Sequence, residues 1–158
     1  MNILSDAHRK LLEDLLTGKV TFLLVGGYAV NYHGYPRYTA DLDIWLKPDN
    51  ANKKSLLSLL EDYGFDAESI MRVQELNFSE AHSFHIGKNE ARVDFMTKAS
   101  GLQFHEAFQH HVILKLEDIE VPVIHFQDLI VNKLMSGRPQ DRADVDMLQN
   151  IHKYRNKP

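Results

Sequence analysis

Apolar residues recur along this chain with two different periods. Leu4, Leu11, Leu12, Leu15 and Leu16 fall at helical spacings within residues 4–16, and Gly18 follows as a C-cap, which predicts an amphipathic opening helix. Residues 21–26 (TFLLVG) are almost wholly apolar and stop at Gly26-Gly27, the pattern of a strand buried on both faces. A short helix is expected over 28–33, broken by Gly34 and Pro36. Residues 41–46 (DLDIWL) then alternate strictly, with Leu42, Ile44 and Leu46 on one face and Asp41, Asp43 and Trp45 on the other. Helical spacing returns over 50–63 and closes at Gly64.

The segment that follows carries no regular pattern until two strand candidates at 82–87 and 91–97, joined by a turn at Lys88-Asn89. A second hairpin is expected from 112–116 and 119–124, turning at Glu117-Asp118. Two closing helices, 126–136 and 141–153, are separated by Gly137-Arg138-Pro139. No internal repeat, low-complexity tract or linker interrupts the chain, so residues 1–158 read as a single domain. The mixture of strands and helices in one short chain gives the class α+β.

The 158 residues are 44% hydrophobic and 25% charged, an ordinary globular balance that argues against disorder. The formal net charge of −4 argues against extended DNA binding by bulk charge, although Arg138, Arg142, Lys153, Arg155 and Lys157 collect in the tail. Without cysteine there is no disulfide, thiol catalysis or Cys-based zinc site. No apolar run of about 18 residues and no basic-then-apolar leader occur, so no membrane association and a cytoplasmic location are expected.

Three features bear on chemistry. The apolar strand runs straight into Gly26-Gly27, where the missing side chains let a phosphate approach the backbone. Such a pair alone is weak evidence, since most such pairs are simply turns. Asp41 and Asp43 leave the same face of an alternating strand, about 6.5–7 Å apart. Two carboxylates there repel each other, and a divalent cation between them would remove that cost; a solvent-facing strand reads equally well. Oxygen donors without cysteine point to Mg²⁺ or Mn²⁺. Asp94 shares a strand face with Arg92 and Met96, opposite Val93 and Phe95, and joins the other acids only if its strand pairs near 41–46.

With these residues in this order, the chain resembles the DNA polymerase beta-like nucleotidyltransferase superfamily. The resemblance rests on Val25-Gly26-Gly27, a thirteen-residue spacer, Asp41-Leu42-Asp43 and the later Asp94. VGGYAVNYHGYPRYTADLDI is most similar to the small bacterial branch, which holds minimal, antibiotic and toxin–antitoxin nucleotidyltransferases. The resemblance implies a short mixed β-sheet with helices packed on one face and the carboxylate site on the other. It implies that Gly26 and Gly27 hold a triphosphate and that Asp41, Asp43 and Asp94 hold Mg²⁺ and carry catalysis. The reaction implied is transfer of a nucleoside monophosphate from an NTP, with ATP expected, to an acceptor hydroxyl on a protein, small molecule or RNA end. The alternative is an antitoxin-type or nucleotide-binding module that neutralises a partner toxin, and a homodimer is a further possible assembly.

Around that core, Arg37 and Thr39 precede the first carboxylate and are expected at the same mouth, with Arg37 offered to phosphate. Lys133 and Arg138 form a second candidate phosphate-facing group. Asp141 is expected to cap the final helix, Asp144 to lie on an exposed helical face, and Trp45 to be a packed aromatic. The nine histidines lack metal-ligand spacing and read as surface or core residues.

Overall fold

The computed structural model describes residues 4–156, so Lys157 lies outside the described residues. Helix α1 (Asp6–Thr17) leads into β1 (Phe22–Val25), α2 (Gly26–Tyr32), β2 (Leu42–Leu46), α3 (Asn50–Asp62) and α4 (Ala67–Glu75). Then follow β3 (Ser83–Ile86), β4 (Val93–Met96), α5 (Phe104–Gln109), β5 (Val112–Leu116), β6 (Ile119–Val123), α6 (Phe126–Ser136) and α7 (Pro139–Arg155). Ser5 caps α1 by accepting the His8 N–H at 3.2 Å, and Asp49 caps α3 through the Asn52 N–H at 2.7 Å. Each satisfies one of the backbone donors that a helix start leaves unpaired.

Helix α2 opens at Gly26, two residues before its expected start, and two helices, α4 and α5, lie outside the sequence expectation. Asp66 starts α4 by accepting from the Ser69 N–H, within a stretch that buries only Val73. One buried position gives no readable helical stripe, so the local cap was the sole signal. Helix α5 has six residues, too few for a period to show.

The six strands order as β3-β4-β2-β1-β6-β5. Pairs β1–β2, β3–β4 and β5–β6 are antiparallel, whereas β2–β4 and β1–β6 are parallel. Ile44 is opposite Leu24 on one side and Phe95 on the other, and Phe95 is opposite Phe84. One sheet face is therefore a continuous apolar surface, with Phe84 stacked on Phe95 at 5.4 Å. Leu12, Leu15, Leu56, Leu60 and Phe78 join these residues in one core. The opposite face carries Leu23, Val25, Asp43, Trp45, Asp94 and Met96. It too is covered at Trp45, which is 1% exposed and meets Phe104 edge-on at 5.2 Å. Trp45 is thus the packed aromatic expected of it. On this face Asp43 and Asp94 are partly exposed, at the end of the sheet where β1 runs into Gly26.

Candidate active site

The site grows from the junction of β1 and α2. Gly26 takes φ +67, a left-handed conformation that disfavours side chains, and opens the helix directly after the strand. A Cβ there would stand 2.1 Å from Asp43 Oδ2, and one on Gly27 would stand 2.3 Å from Thr39 Oγ1. The glycine pair is therefore required by close approach of two named side chains, one of them a candidate catalytic carboxylate.

Strand β2 begins at Leu42, so Asp41 lies at its entrance rather than inside it, a one-residue correction to the expected strand. Asp43 is on the strand, opposite Val25 of β1 and opposite Asp94 of β4. Directly opposed residues share a face, on strands about 4.7–4.9 Å apart. The long-range condition placed on Asp94 is thus met by the parallel register. Its partner across β3 is His85, so Asp43, Asp94 and His85 form one row across three strands. Sequence spacing could not place His85 there, because the row exists only through β3–β4 pairing. Asp94 accepts from Arg92 at 3.2 and 3.3 Å in a partly exposed contact.

Burial, then the neighbouring Asp94 and Asp41 charges, push the Asp43 carboxyl up to about 6; the Gly27 N–H and the Lys133 charge pull it back in part. A carboxyl so raised is crowded by negative charge and short of water. Among the described residues no group of three or more His, Asp or Glu side chains is arranged to hold a metal ion. Mg²⁺ does not need such a group: it uses one or two carboxylates, substrate phosphates and water. The all-oxygen donors and the crowded Asp43 fit that ion.

Gly26, Gly27, Arg37, Thr39, Asp41, Asp43 and Lys133 all line one cavity of about 290 Å³. Asp94 stands outside its lining and is tied to it through Asp43. Two larger grooves, of about 880 and 980 Å³, lie elsewhere, between α1 and α3 and between α4 and β3.

Behind the cavity lies a buried ionic network that revises two expectations. Asp144 is fully buried rather than on an exposed face: it accepts from Arg37 Nε and Nη2 at 2.7 and 2.9 Å and pairs with Lys133 at 2.9 Å. Asp141 is not the cap of α7, because the helix starts two residues earlier at Pro139, with Arg138 as N-cap. It is 1% exposed and accepts from Lys133, Ser136 and Arg138 at 3.2, 2.7 and 2.8 Å. Burial alone would raise the Asp141 pKa, but these donors hold it down at about 2. Two carboxylates inside a protein are tolerable only when such cations neutralise them. Lys133, 5% exposed, is the shared cation of the pair. Arg37 is likewise engaged, since its Nη1 also donates to the Tyr38 carbonyl at 3.0 Å. Arg138, three-quarters exposed, is the most accessible cation at the cavity.

Two solved structures share this fold. The lincosamide antibiotic adenylyltransferase LnuA, with lincomycin bound, matches with TM-score 0.61 and 17% identity over 95% of this chain and 99% of that one. A nucleotidyltransferase so described from Thermotoga maritima matches with TM-score 0.56 and 14% identity over 95% of this chain and 91% of that one. At these identities the likeness is one of fold. No curated protein matches the sequence. Among the described residues no helix is long and apolar enough to cross a membrane. A family model described as "Nucleotidyltransferase of unknown function (DUF6036)" spans residues 2–153, and the chain belongs to that nucleotidyltransferase family.

Proposed function

We propose that this protein transfers a nucleoside monophosphate from an NTP to an acceptor hydroxyl and releases pyrophosphate. The observation that carries the reading is the register that sets Asp94 opposite Asp43, two residues beyond Asp41, at the edge of the cavity that Gly26, Gly27, Asp41 and Asp43 line. Asp41, Asp43 and Asp94 would hold Mg²⁺, which lowers the pKa of the acceptor oxygen and offsets charge on the departing pyrophosphate when bound. Gly26 and Gly27 let Asp43 and Thr39 close onto the loop that lines the cavity for the triphosphate, and the exposed Arg138 supplies positive charge beside it. The acceptor oxygen attacks the α-phosphorus, and the bond from that phosphorus to the pyrophosphate oxygen breaks. Asp94 receives the hydroxyl proton. Likeness to LnuA across nearly the whole of both chains favours a small-molecule acceptor.

Calorimetric titration of each NTP with Mg²⁺, then with EDTA, tests the reading. We expect binding that EDTA abolishes and that Asp41→Ala loses without a fall in melting temperature. No binding of any NTP, or binding indifferent to both EDTA and Asp41→Ala, would overturn it.

A further inference from the structure

We infer that Tyr38 is the stacking platform for the nucleobase and makes the site a purine nucleoside triphosphate site. This inference rests on the proposed reaction and names its nucleotide. At about 290 Å³ the cavity is at the bottom of the roughly 300–1,000 Å³ range of small-molecule sites, so the phosphates fill it and the nucleoside must lie across its rim. The lining is glycine, charge and amide apart from Thr39, Ala40 and Tyr38, and among the described residues that line it Tyr38 is the single aromatic.

Tyr38 lies three residues before Asp41 and lines the same cavity. The residue is 86% exposed, more than any other large apolar residue among those described. The backbone beneath it is held firmly. Arg37 donates its main-chain N–H to Asn31 Oδ1 at 3.0 Å, its Nη1 to the Tyr38 carbonyl at 3.0 Å, and its other guanidinium nitrogens to buried Asp144. An open aromatic face on an anchored loop is what a flat ring binds with little loss of side-chain freedom. Stacking carries no hydrogen-bond code, so discrimination follows ring area, and the larger purine wins over the pyrimidine.

The test compares ATP, CTP and inorganic tripolyphosphate, each with Mg²⁺, by calorimetry on the wild type, Tyr38→Ala and Tyr38→Phe. The exposed position makes either variant compatible with folding. Stacking predicts that Tyr38→Ala weakens ATP about tenfold and narrows the ATP-over-CTP preference, while Tyr38→Phe stays within about twofold of the wild type. Tripolyphosphate, which has no base, should bind all three proteins alike. Unchanged ATP affinity in Tyr38→Ala overturns the inference and leaves the proposed reaction standing. Equal losses in Tyr38→Phe and Tyr38→Ala overturn it in favour of a hydroxyl contact, and a parallel loss of tripolyphosphate overturns it in favour of loop distortion. A wild type that binds neither ATP nor tripolyphosphate overturns this inference and the proposed reaction together.

Discussion

Asp43 and Asp94 oppose each other across the parallel strands β2 and β4, and the Asp43 carboxyl is raised to about 6 by burial and by the Asp94 and Asp41 charges. The folded protein therefore holds this proton more tightly than the unfolded chain does. Between pH about 4 and 6 the Asp43 contribution to stability falls as pH rises, and above that it is flat. Asp43→Asn should remove this fall and raise the melting temperature at pH 8 by roughly 2–6 °C, while weakening Mg²⁺-dependent ATP binding. Thermal melts of both proteins from pH 4 to 8 give the difference curve; an Asp43→Asn protein less stable than the wild type at pH 8 would refute the charge crowding.

Asp141 carries the opposite sign. Its pKa is held at about 2 by Arg138, Ser136 and Lys133, so its stabilisation is complete above about pH 4 and disappears between pH 4 and 2. Asp141→Asn should flatten that part of the acid-unfolding curve and lower stability at neutral pH. Acid titrations followed by circular dichroism would show this as a smaller change below pH 4.

Asp144 should matter more to folding than its partner Arg37. Asp144→Ala leaves Lys133 with one carboxylate and Arg37 with none, a loss of about 3 kcal/mol. Arg37→Ala leaves Asp144 still paired with Lys133 and Gln140, a loss of roughly 1–2 kcal/mol. Urea unfolding of the two variants checks the order, and equal losses would contradict it.

Gly27 and Thr39 should be energetically coupled. A Cβ on Gly27 meets the Thr39 hydroxyl at 2.3 Å, so Gly27→Ala should destabilise by about 1–3 kcal/mol through crowding. Gly27 does not use a left-handed φ, and Thr39→Gly should therefore restore most of the loss. Gly26→Ala is strained by its φ of +67 whatever surrounds it, and the same background should not rescue it. A double-mutant cycle on Gly27 and Thr39 reads the coupling directly.

Local chemistry made much of this protein legible from sequence. Alternation along 41–46 put Asp41 and Asp43 on one side, and the apolar run into Gly26-Gly27 marked strand β1 and the glycines at which α2 opens. Those signals are local because side-chain direction follows the backbone period of a few residues. Only the tertiary structure decided that Asp94 faces Asp43, since strand register is set by contacts between distant segments. It also decided that Asp141 and Asp144 are buried. A carboxylate in a helical sequence reads as surface, because burying its charge is unfavourable unless cations meet it. Arg37 meets Asp144 from 107 residues away, a partner no local pattern reveals. The sequence by itself determined which groups this site could use; packing determined which of them stand together and which are held apart by a counter-charge.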